Sequence, residues 1–121
     1  MAVKNYQELI VWQKAMEATA LIYQIVKKLP KEELFALSSQ MRRAAVSIPS
    51  NIAEGQARNS TKEFIQFLSV ARGSKAELET QLLLCEKVNY LARTDILEAI
   101  NLLQEVEKML VALIKTLTNA R

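Results

Sequence analysis

The sequence predicts an all-α fold: an antiparallel up-down-up-down four-helix bundle, built as a single domain over residues 1–121. Three observations point there. Half of the residues are hydrophobic, yet only two glycines and two prolines interrupt the chain, a balance that suits long helices and short connections. Apolar residues recur at spacings of three and four over most of the length, which is the period of one helix face. Breaking and capping signals fall at Leu29-Pro30, between Gly55 and Ser60, and near Asp95, dividing the chain into four segments.

The first helix is expected from about Tyr6 to Lys28. Leu9, Trp12, Met16, Ala20 and Tyr23 form one apolar stripe; Val11, Ala15, Ala18, Ile22, Ile25 and Leu29 form another. Thr19 and Val26 fill the gap between them. An ordinary surface helix needs an apolar face only about 100° wide. The excess assigns Val11, Ala15, Ala18, Ile22 and Ile25 to an oligomer interface.

Pro30 cannot continue a helical ladder and disfavours the α conformation at Leu29. Lys31, Glu32 and Glu33 are then expected to open the second helix, with acids suited to its N-terminal dipole. Its stripe is Leu34, Leu37, Met41, Ala44, Ala45, Ile48 and Ile52. Pro49 removes the amide that would bond to Ala45, so a kink is expected there. Gly55 is expected as the C-cap.

Ser60-Thr61-Lys62-Glu63 has the capping-box spacing and starts a third helix, expected to reach about Tyr90. Phe64, Phe67, Leu68, Ala71, Leu78, Leu82 and Cys85 line one face; Val70, Leu84 and Val88 lie on another. Gly73 costs about 1 kcal/mol relative to Ala in mid-helix, which suggests close approach of a neighbouring backbone. Asp95-x-x-Glu98 resembles a second capping box. The last helix is expected to run to about Thr118, with Ile96, Ala99, Leu103, Val106, Leu110, Leu113 and Leu117 as its seam.

The chain contains no histidine, which removes the commonest general base and the commonest metal ligand. Its two glycines stand apart, so no phosphate loop or dinucleotide fingerprint exists. The single Cys85 follows three leucines and reads as a small apolar core residue. No catalytic residue, metal or cofactor is expected, and the chain does not read as an enzyme. The longest uncharged run, residues 44–53, is about half of the ~20 apolar residues that a membrane span requires. One cysteine and no signal peptide fit the cytoplasm.

Two polar groupings remain. Gln40, Arg43, Ser47, Asn51 and Glu54 fall within about 80° on the second helix, opposite Ser74 and Glu77 of an antiparallel third helix. This set reads as a structural polar network. Arg43 is expected to pair with Glu77, while Ser47 and Asn51 satisfy backbone groups freed around Pro49. Arg42, Arg58, Lys62, Arg72 and Lys75 gather around the connection between these helices and are candidates for phosphate contacts with RNA or DNA. The other reading of these five is solubilising charge, since the net charge is only +3.

These residues resemble a four-helix-bundle family encoded in intervening sequences of bacterial 23S ribosomal RNA genes. The resemblance rests on LIVWQKA at residues 9–15, Leu29-Pro30, LSSQMRRA at 37–44, SIPSNIAEG at 47–55, ARGS at 71–74 and ELET at 77–80. The last helix is similar only in pattern. The resemblance implies a closed homopentamer. It extends to the accessory variability determinant of diversity-generating retroelements, a pentamer that binds nucleic acid and a reverse transcriptase through basic surfaces. The expected function is therefore a non-catalytic homo-oligomeric bundle that associates with nucleic acid. The alternative is a protein-interaction scaffold, or an accessory subunit docking a partner such as a reverse transcriptase.

Overall fold

Four helices account for most of the computed structural model, which describes residues 5–120: α1 (Ile10–Ile25), α2 (Leu37–Gln56), α3 (Thr61–Lys87) and α4 (Arg93–Asn119). Single 3-10 turns occur at Tyr6–Glu8, Val26–Lys28 and Lys31–Glu33. α1 packs on α2 and α4, and α3 packs on the same two helices. Cross-helix pairs run in opposite senses along three of these four couples. Lys14 meets Glu105 and Lys28 meets Asp95 between α1 and α4. Met41 meets Cys85 and Ser47 meets Ser74 between α2 and α3. Arg72 meets Glu107 across α3 and α4, and Glu86 meets Arg93 near their junction.

The core lies where the stripes converge. Ile22, Met41, Ile48, Ile52, Leu68, Leu78, Leu82, Ile96, Leu103 and Leu110 are fully buried there. The expected oligomer stripe of α1 lies there too. Val11, Ala15, Ala18, Ile22 and Ile25 are each at most 4% exposed, so they are closed to a neighbouring copy. The physical reason is that α1 touches both α2 and α4. Two partners need a wider apolar arc than one. Met16 (45% exposed) and Tyr23 (42%) remain outside, beside half-buried Trp12.

Several ends differ from expectation. α1 starts at Ile10, because Asn5 caps a preceding 3-10 turn and accepts from the Gln7 amide at 2.8 Å. Leu9 is extended between the two. α2 starts at Leu37 rather than Lys31. Residues 31–33 form their own turn, and Ala36, the N-cap of α2, is far from helical at φ −122°, ψ −102°. Ala36 has no capping side chain, so Glu33 accepts from the Leu37 amide at 3.3 Å. Leu34 is thereby lost from the core stripe and Phe35 is left 92% exposed.

α2 continues through Pro49. The Ala45 carbonyl that Pro49 leaves without an amide accepts from Thr19 Oγ1 on α1 at 3.0 Å. This corrects the roles assigned to Ser47 and Asn51. Asn51 instead donates to the Ser47 carbonyl at 2.7 Å.

Neither glycine plays its expected role. Gly55 is buried inside α2, whose C-cap is Ala57. A Cβ at Gly55 would stand 2.6 Å from Phe67 Cβ and 3.0 Å from Phe64 Cδ1. Around Gly73 nothing lies within 4 Å of such an atom.

The Ser60 hydroxyl caps α3 by accepting from the Glu63 amide at 3.1 Å. The same hydroxyl donates to the Glu63 carboxylate at 3.2 Å. α3 stops at Lys87, before Tyr90, because Asn89 turns left-handed at φ 65°. The Tyr90 amide then reaches the Cys85 carbonyl at 2.9 Å and the Asn89 amide the Glu86 carbonyl at 3.1 Å, the paired closure of a Schellman motif. α4 starts earlier than expected, at Arg93. Asp95 is its third residue and accepts from the Ala92 amide at 2.8 Å.

Candidate interaction surfaces

The five candidate phosphate-binding residues do not form one patch. Arg72, on the α3–α4 side, donates twice to Glu107, from Nε at 3.2 Å and Nη2 at 2.7 Å. Lys75 is only 8% exposed and lies 2.8 Å from Glu79. Arg58 is 3.2 Å from Glu54 and 3.9 Å from Glu63, and stacks over the Phe67 ring at 4.8 Å. Lys62 is exposed in the first turn of α3. Arg42 is half-buried beside α1. Arg42 and Arg58 stand sixteen residues apart along α2 and its end, roughly 24 Å at ~1.5 Å per residue. Three of the five therefore have a carboxylate in contact already.

The polar network forms in part. Ser47 Oγ and Ser74 Oγ are 2.7 Å apart, and Asn51 Nδ2 donates to Ser47 Oγ at 2.8 Å. These three residues tie α2 to α3. The remaining members turn elsewhere. Arg43 donates to Ser39 at 3.3 Å, Glu77 accepts from Gln81 at 3.3 Å, and Glu54 holds Arg58. The expected Arg43–Glu77 pair is absent among the described residues. Each side chain has found a partner four residues away in sequence, on its own helix for Arg43 and Glu77 and just past the helix end for Glu54, where i,i+4 neighbours already face each other. Gln40 is exposed on the rim of the α2–α3 cleft.

The end of the bundle that carries the turn from α1 to α2 has features that the stripes did not single out. A cleft of about 270 Å³ opens between α1 and α2. Tyr23, Val26, Leu29 and Leu34 give it apolar walls, and Lys27, Lys31 and Arg42 give it a basic rim. None of those three cations has a carboxylate partner among the described residues. On the other flank of α2 a cleft of about 310 Å³ is lined by Glu33, Leu37, Leu84, Val88 and Tyr90. Glu33 accepts the Tyr90 hydroxyl at 2.8 Å, and this bond holds the phenol above its usual range. The Phe35 signal was available in the chain: an aromatic residue two positions after an acid pair, out of step with Leu37, Met41 and Ala44.

A third depression, midway along α1 and α2, is formed by Tyr6, Trp12, Met16, Val46 and Pro49. The Tyr6 and Trp12 rings meet edge to face there, 5.3 Å between centroids. Cys85 is fully buried against Met41, and burial pushes its thiol above the usual value. Among the described residues no group of three or more Asp, Glu, Cys or His could hold a metal ion. No described helix is long and apolar enough to cross a membrane.

This surface sits on a fold shared with known proteins. A crystal structure of a protein with unknown function from the S23 ribosomal protein family of Bacteroides thetaiotaomicron is similar, with 31% identity and a TM-score of 0.81. The match covers 88% of this chain and 96% of that one. Comparison with curated proteins gives no match. The profile described as 23S rRNA-intervening sequence protein matches residues 7–112, from the turn before α1 well into α4. By that match, the chain belongs to the 23S rRNA-intervening sequence protein family.

Proposed function

We propose that this protein is a non-catalytic, homo-oligomeric scaffold that works by docking macromolecules on the outside of its bundle. One observation carries the reading. Arg58, Arg72 and Lys75 are occupied by carboxylates of the same chain, while Phe35, Met16, Tyr23, Leu84 and Val88 stand exposed. Paired charge contributes little to a phosphate backbone, whereas exposed aromatic and aliphatic side chains are what protein interfaces bury. The closed ring implied by the resemblance is compatible with this surface, provided that copies meet through these exposed residues. A partner such as a polymerase, in the cytoplasm, belongs to the same reading. Light scattering on the purified protein tests it: a mass at a multiple of 13.7 kDa is expected, and a monomer at every concentration defeats it.

Association with RNA or DNA is the second reading. It is favoured by Lys27, Lys31 and Arg42, which share one cleft without a carboxylate partner among the described residues. Gel-shift titrations against structured RNA and duplex DNA across salt concentrations decide between the two. Phosphate contacts give steep salt dependence; absence of a shift at low salt leaves the protein-docking reading alone.

A further inference from the structure

We infer that the two flanks of the α1–α2 turn are the complementary halves of one contact between copies: the basic α1–α2 cleft of one chain receives the acidic, Phe35-tipped flank of a second. This rests on the homo-oligomeric reading above and supplies the contact it lacks.

The projecting half is built, and does not merely dangle. Phe35 is 92% exposed, yet the turn that carries it is pinned. The Leu34 amide bonds to the Lys31 carbonyl at 3.0 Å, and the Ala36 amide to Glu33 at 3.0 Å. Pro30 stiffens the entry and α2 anchors the exit. An aromatic side chain on a pinned backbone has only two torsions to fix on docking, which is why interfaces favour such residues. The acids next to it lean toward α3. Glu33 bonds to Tyr90, and Glu32 is close enough to act on the same phenol.

The receiving half lies on the opposite flank. Its volume, about 270 Å³, falls below the ~300–1,000 Å³ usual for small-molecule sites. It suits a side chain or two. Apolar walls with Lys27, Lys31 and Arg42 at the rim select an apolar side chain flanked by carboxylates. Glu32, Glu33 and Phe35 offer that chemistry in three positions of four. Charge complementarity thus names a second copy of this chain as the occupant.

Both halves sit at the same end of the bundle. Rotation about an axis parallel to the helices carries one onto the other without a step along that axis. A head-to-tail contact of this kind closes into a ring instead of growing as a filament.

Three proteins test the contact by light scattering: the wild type, Phe35→Ser and Arg42→Glu. The wild type is expected at a multiple of 13.7 kDa, and each variant at the monomer mass with unchanged helical content. A mixture of the two variants is expected to form a 1:1 species of about 27 kDa, twice the chain mass, because each retains the half that the other has lost. Lys31→Glu, at an exposed position, replaces Arg42→Glu if that variant fails to fold. A wild type that assembles while Phe35→Ser assembles equally overturns this contact and leaves the oligomeric reading standing. Variants that disperse singly but do not associate when mixed also overturn it. A monomeric wild type defeats both.

Discussion

The Thr19 hydroxyl on α1 donates to the Ala45 carbonyl on α2 at 3.0 Å, replacing the amide that Pro49 cannot supply. The same hydroxyl lies 2.8 Å from the Ala15 carbonyl of its own helix, so its one proton is shared between the two acceptors. Ala45 is fully buried. A buried carbonyl left without a donor costs about 1–3 kcal/mol. Thr19→Val is therefore expected to lower stability by about that much, with Thr19→Ser largely retaining it. Pro49→Ala restores the helical amide, so the cost of Thr19→Val should shrink in that background. A double-mutant cycle in urea unfolding measures the coupling; equal costs in both backgrounds would show that the two residues act independently.

The same Gly→Ala change should have opposite effects at the two glycines. At Gly55 the added methyl meets Phe67 Cβ at 2.6 Å, an atom that cannot swing away. Overpacking of this kind costs about 1–3 kcal/mol. At exposed Gly73 the methyl meets nothing within 4 Å, and the helix gains about 0.5–1 kcal/mol from reduced backbone freedom. Thermal melts of the two variants should move in opposite directions.

The periodic seams were legible in the sequence, because core burial in a helix repeats at a period that the order of apolar residues displays. Ile96, Ala99, Leu103, Val106 and Leu110 of α4 are buried as their spacing implied. What periodicity lacks is the identity of the facing neighbour. It shows that Gly55 and Gly73 are unusual without showing which one has Phe67 against it. It shows that α1 has a wide apolar arc without showing whether α4 or another copy covers it. Local hydrogen-bond competition was hidden for a similar reason. Arg43 had Ser39 one turn away as well as Glu77 across the interface, and spacing does not rank the two. The candidate site was the least legible, since charge in a sequence carries no record of being already paired, as Arg72 is by Glu107.

The pH dependence of stability has an identified group at each end. The Asp95 carboxyl is held below its ordinary value of 3.8, first by the Ala92 amide and then by Lys28. A depressed folded-state pKa contributes stability above the unfolded value, lost as pH falls through the folded value. Tyr90 is the reverse case. Its phenol is held above its ordinary value of 10.0, chiefly by the hydrogen bond to Glu33. That contribution is present below pH 10 and is lost as pH rises through the folded value. Asp95→Asn should flatten the acid limb of a stability–pH curve and leave the alkaline limb alone; Tyr90→Phe should do the opposite. Chemical unfolding at a series of pH values from 2 to 11 reads both limbs.

The α1 stripe offers a test of burial against assembly. Ile22 is fully buried and Ile25 is 3% exposed. Truncating a buried Ile costs about 2–5 kcal/mol, and an unpaired carboxylate in its place adds more. Small domains are stable by only about 5–15 kcal/mol in total, so Ile22→Glu combined with Ile25→Glu should abolish folding. Circular dichroism would show loss of helix. A folded monomer would instead return the stripe to a neighbouring copy. Met16→Glu with Tyr23→Glu is the counterpart on the outward side of the same helix. Those side chains are already half in water, so the helical signal should survive. Any change in this second variant therefore falls on association, which separates what α1 does for its own bundle from what it offers to another.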